Sequence, residues 1–151
     1  MPFVRRYQGL NTDLKALYKD IKTELQNTKE LNITGELEGE INGIPFNSVT
    51  ATRASVPRVF LGGLREVTVT ITGSSDDYLI EMHTGAWFSN MVVPGTGALL
   101  IAGPLGGIAV AGTTGLYAVN YQRTLKNKIK ELVKKNSKKE YTADKVETFA
   151  E

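Results

Sequence analysis

The sequence predicts an α+β domain: an N-terminal amphipathic helix, a four-stranded antiparallel meander, and a Gly/Ala-rich hydrophobic segment running into a long basic C-terminal helix. Three observations predict it. Apolar residues recur at spacings of three and four from Leu10 to Leu25, then alternate from Leu31 onward. The last third joins an uncharged, glycine-rich block to a lysine-rich stretch. At 151 residues, 41% hydrophobic and 23% charged, the chain has the size and composition of one folded domain. That domain is expected over residues 1–136, with the hydrophobic segment at 87–122 and a polar tail at 137–151.

Leu10, Leu14, Leu17, Tyr18, Ile21 and Leu25 share one helical face. Asn11 or Thr12 suits the N-cap, and Asp13 suits the positive end of the helix dipole. Lys15, Lys19, Asp20, Lys22 and Glu24 fall largely on the other side, so this helix is expected to pack on a core. Next, Leu31, Ile33, Leu37 and Ile41 alternate with Asn32, Thr34, Glu36, Glu38 and Glu40, as a half-buried strand requires. Asn42-Gly43 is a hairpin signal, because a type I′ turn needs positive φ at both central positions. The chain returns through Ile44, Phe46, Val49 and Ala51. A third strand sets Val67, Val69 and Ile71 against Thr68, Thr70 and Thr72. After the polar turn at 73–77, a fourth sets Tyr78, Ile80 and Met82 against Leu79, Glu81 and His83. The apolar face of this meander needs a cover, and the first helix is the obvious one.

Charge is distributed unevenly. Residues 1–81 carry a net −2, residues 82–122 contain no Asp, Glu, Lys or Arg, and residues 123–151 carry +4, which together give the chain's +2. Pro94-Gly95 and Gly103-Pro104 punctuate the uncharged block, and a helix is expected from Pro104 to about Lys135. Its second half sets Tyr121, Leu125, Ile129 and Leu132 against Lys126, Lys128, Lys130 and Lys134. Within the block, 22 helical residues at 98–119 would extend about 33 Å, enough to cross a hydrocarbon core. Gly103, Gly107, Ala111 and Gly115 form a row of small residues, with Ala98, Ala102 and Gly106 beside it, as close helix packing in lipid requires. Arg123, Lys126, Lys128, Lys130, Lys134 and Lys135 form the basic flank that anionic headgroups would attract.

Chemistry is harder to find. There is no cysteine, which excludes disulfides, thiolate metal sites and a Cys nucleophile. His83 is the single histidine, and with Glu81 it makes two ligands where a metal needs three or four; a surface position on the strand is expected, and no metal or cofactor. Glu36, Glu38 and Glu40 read as a solvent-facing strand face. The glycine-rich GPLGG and GTTG lack the Lys-Ser/Thr ending of a phosphate loop. Ser48, Ser55, Ser74 and Ser75 have no histidine near them in sequence.

The leading expectation is therefore a non-enzymatic, membrane-associated protein on a cytoplasmic face, or in the cytoplasm since Arg5, Arg6 and Gln8 break up any secretory signal. Its hydrophobic segment would mediate insertion or self-association between copies. The alternative is a soluble α+β binding module, helix over sheet, for a small apolar ligand or a protein partner; a meander covered by a C-terminal helix is the general layout of helix-grip folds. A soluble homo-oligomer burying the segment between subunits is a third. Nucleic acid is not expected, because no aromatics are interleaved with the lysines.

Overall fold

Helix α1 (Leu14–Asn27) begins at Asp13, one residue beyond the expected caps, whose carboxylate accepts a hydrogen bond from the Ala16 backbone N–H at 3.1 Å. It buries Leu17, Ile21 and Leu25, three positions of the face that the spacing marks. The computed structural model describes residues 3–28, 31–53, 66–84 and 116–150. In chain order these form β1 (Phe3–Gln8), α1, β2 (Leu31–Ile41), β3 (Ile44–Arg53), β4 (Glu66–Ser74), β5 (Asp77–Thr84), α2 (Leu116–Asn136), a single 3-10 turn (Ala143–Lys145) and β6 (Val146–Ala150).

The strands make one six-stranded antiparallel sheet in the order β2-β3-β4-β5-β1-β6. This corrects the expected four-stranded meander between an N-terminal and a C-terminal helix. A strand precedes α1, and α2 is followed by another. Neither was legible locally. In β1 the alternation of FVRRYQ is interrupted by consecutive arginines, and in β6 VETFA sits within a polar stretch. Both are strands because they pair with distant chain: β1 lies between β5 and β6, with Tyr7 opposite both Tyr78 and Val146. Arg6 closes the β1–β5 junction with a two-pronged contact to Asp77, Nε to Oδ1 at 2.8 Å and Nη2 to Oδ2 at 2.7 Å.

The Asn42-Gly43 turn has φ of 52° and 79°, as the hairpin requires. Strand β2 departs from the expected alternation. Its register against β3 shifts between Ile33 and Gly35, so Ile33 lies opposite Ala51 but Glu36 lies opposite Val49. This β-bulge turns Leu37 away from the face that Leu31 and Ile33 share and brings Glu36 onto the helix side. There Tyr18 Oη donates to Glu36 Oε1 at 2.7 Å and Lys22 Nζ donates to Oε2 at 3.0 Å.

Both described helices pack on one face of the sheet. Leu17, Ile21 and Leu25 of α1 and Leu125, Ile129, Leu132 and Val133 of α2 join Phe3, Tyr7, Val49, Val67, Val69, Ile71, Tyr78, Ile80 and Met82 in one core. A hydroxyl knot ties its end. Thr12 Oγ1 lies 2.8 Å from both Tyr78 Oη and Ser137 Oγ, joining the β1–α1 connection to β5 and the end of α2. Burial pushes the Tyr78 phenol up to about 12. Among the described residues no helix is long and apolar enough to cross a membrane.

Candidate functional site

The other face of the sheet is polar, and it too is buried. The pairing register sets Ser48, Thr70 and Glu81 in one row across β3, β4 and β5, and Thr50, Thr68 and His83 in the next. All six are 4% exposed or less. Within the rows, Ser48 Oγ lies 2.9 Å from Thr70 Oγ1, and Thr50 Oγ1 lies 2.9 Å from Thr68 Oγ1. A third pair, Thr34 and Thr52, continues this ladder into solvent at 2.7 Å. β-branched threonines suit the strands, and each hydroxyl pair satisfies donors and acceptors that burial would otherwise strand.

Glu81 and His83 are the ionisable residues of these two buried rows. Two residues apart on β5, their side chains point the same way, with Glu81 Oε1 3.7 Å from His83 Nε2. Burial pulls the imidazole down to about 4, so it is neutral at physiological pH. The expected surface position for His83 is thereby corrected. The alternation of β5 correctly separates Glu81 and His83 from Tyr78, Ile80 and Met82, but alternation cannot reveal that the polar side is also covered. Within these two rows the groups are four hydroxyls, one carboxylate and one neutral imidazole. No group of three or more metal-ligating side chains occurs among the described residues.

Thr72, one row further on, is 1% exposed and its hydroxyl has no hydrogen-bond partner among the described residues. Replacing it by valine keeps the shape and removes a desolvated polar group. We expect Thr72→Val to raise stability by about 1 kcal/mol in urea denaturation; a loss of that size would show that the hydroxyl has a partner in solution.

Of the residues singled out from sequence, Gly103, Gly107, Ala111 and Gly115 lie outside the described residues. The basic flank is on α2: Arg123, Lys134 and Lys135 are exposed, and Lys126, Lys128 and Lys130 are half-buried. Glu38 and Glu40 are exposed on β2, as is Glu36. An open depression of about 310 Å³ lies between the β2–β3 and β4–β5 turns, lined by Gly43, Ile44, Pro45, Gly73, Ser74 and Asp77. Asp77, its single ionisable group, is already engaged by Arg6.

The fold and this face define an α+β protein in which one antiparallel sheet has helices on its apolar side and a closed hydroxyl ladder on the other. No protein-family model, curated protein or solved structure matches the chain.

Proposed function

We propose that the chain is a non-catalytic binding module that takes a protein partner by strand addition along β2. One observation carries this reading: β2 runs for eleven residues and, among the described residues, pairs with β3 alone. Its outer edge offers main-chain donors and acceptors to an incoming strand. Glu36, Glu38 and Glu40 decide what fits. A second copy pairing there would set glutamate against glutamate, whereas a strand with Lys or Arg at alternate positions is complementary. The absence of catalysis is supported by His83, whose imidazole is shielded from any substrate in solution. An apolar ligand has less support, because Phe3, Tyr7, Leu17, Ile21, Tyr78, Ile80 and Ile129 close the described core at 1% exposure or less.

The test is selection from a library of extended peptides. Selected sequences should carry alternating basic residues and slow amide exchange along β2. Reversing Glu38 and Glu40 to lysine should weaken them about tenfold or more, a tenth of the affinity corresponding to ~1.4 kcal/mol. Binders that protect other segments, or that ignore the reversal, would overturn the reading.

A further inference from the structure

The outer edge of β2 has two sides of different chemistry, and its turn fixes which main-chain groups it offers. A two-residue hairpin closes on a hydrogen-bonded pair, here Ile41 with Ile44, and bonded and non-bonded pairs alternate from there. Glu40 lies opposite Pro45, which has no N–H to give, so this pair belongs to the non-bonded set. Gly39 and Leu37 therefore turn their main-chain groups toward Phe46 and Ser48 of β3. The N–H and C=O groups of Glu36, Glu38 and Glu40 point outward. At the far end, the register shift between Ile33 and Gly35 closes this regular stretch of edge.

Glu36, Glu38 and Glu40 share the helix side of the strand. Glu36 is already held by Tyr18 and Lys22, at 2.7 and 3.0 Å. Glu38 and Glu40 are exposed, and among the described residues no ion pair engages them. On the other side stand Leu37, half-buried, and Gly39. A Cβ on Gly39 would lie 3.2 Å from Phe46 Cε1 and 3.4 Å from Cζ, so the tip of that ring lies across the glycine. Leu37 and an aromatic ring line this side of the edge, with no side chain at 39 to hold a partner away.

We propose that β2 selects an extended segment of a protein partner in which a large apolar residue stands between two basic ones. The inference rests on strand addition along β2 and names what is added. In antiparallel addition, the residues opposite Glu38 and Glu40 make the main-chain hydrogen bonds, and their side chains stand beside the two free carboxylates. The residue between them falls opposite Gly39 in a non-bonded pair, where cross-strand side chains approach most closely. There it meets the Phe46 ring, and aromatic side chains pair favourably with β-branched ones across strands. A second apolar residue, two positions along, meets Leu37.

The probe is a capped peptide of about nine residues, Lys-Ile-Lys flanked by threonines, compared with the same peptide carrying Lys-Ser-Lys or Gln-Ile-Gln. Affinity for the full chain is read by fluorescence anisotropy, and the site of contact by amide exchange. The Lys-Ile-Lys peptide should bind about five-fold more tightly than either of the others. It should slow exchange at the Glu38 and Glu40 amides, while those of Leu37 and Gly39, already bonded to β3, change little. Phe46→Thr should abolish the preference for Ile over Ser and keep the preference for Lys over Gln, with urea denaturation to check its folding. If that variant does not fold, the three peptides on the wild type decide alone. Protection at Glu38 and Glu40 without a preference for Ile would overturn the apolar position and leave strand addition standing. Protection at Leu37 and Gly39 instead would overturn the assigned register. If no peptide protects β2, both readings fall.

Discussion

Gly73→Ala is expected to cost about 4 kcal/mol or more and to lower the melting temperature by roughly 10 °C. Gly73 sits near the end of β4, opposite Tyr78, with φ of 127°, a conformation that side chains rarely adopt. Sterics add to the conformational cost. A Cβ at this position would collide with the Asp77 carbonyl oxygen and lie 2.8 Å from Tyr78 Cα, and both obstacles are backbone. Neither can move without opening the β4–β5 hairpin, which carries the Thr70–Glu81 and Thr68–His83 pairings of the polar face. Gly9 and Gly43 supply the comparison. They also have positive φ, 71° and 79°, but a Cβ at either would meet nothing within 4 Å, so alanine there should cost only about 1 kcal/mol. Thermal and urea denaturation of the three variants distinguish the cases; equal losses at all three would mean that the hairpin yields.

The second large effect is a loss of stability on mild acidification that depends on His83. In the unfolded chain its imidazole titrates near 6.5; in the native sheet, burial holds it near 4. The unfolded chain therefore binds this proton more tightly, and falling pH favours unfolding. The contribution is fully present above about pH 6.5 and is lost progressively down to about pH 4, amounting to about 3 kcal/mol. Urea denaturation across that range should show a steep acid limb in the wild type and a shallower one in His83→Gln. Parallel limbs would show that His83 is not buried in solution. The carboxylates act in a lower window. Arg6 beside Asp77, Tyr18 and Lys22 on Glu36, and Asn136 and Lys135 on Asp20 all hold those groups below their ordinary values. Their contribution is present above about pH 4 and lost below it, so the two limbs can be separated.

Local pattern carried much of the reading. The three-and-four spacing of Leu17, Ile21 and Leu25 locates α1 and its buried face, and Asn42-Gly43 locates the β2–β3 turn. The alternation of β4 and β5 sorts their side chains correctly between the two faces. Pairing over long distance was not legible. Arg5 and Arg6 hide β1, and β6 is a strand because it lies against β1 at the other end of the chain, with Arg5 opposite Thr148. The bulge in β2 also escaped: the odd-numbered apolar residues suggest one continuous face, and a single register shift divides it.

The candidate surfaces divide in the same way. That Arg123, Lys126, Lys130 and Lys134 share an arc follows from helical periodicity. That Lys135 reaches Asp20, more than a hundred residues away, depends on how α1 meets α2. By itself the sequence determined the α+β composition, the faces of the regular elements and the charge asymmetry, since each follows from spacing along a single segment. Tertiary structure alone decided the six-strand order and the burial of Ser48, Thr50, Thr68, Thr70, Glu81 and His83. Alternation tells which side of a strand a residue occupies; whether that side meets water depends on what else packs there, and no local pattern contains that.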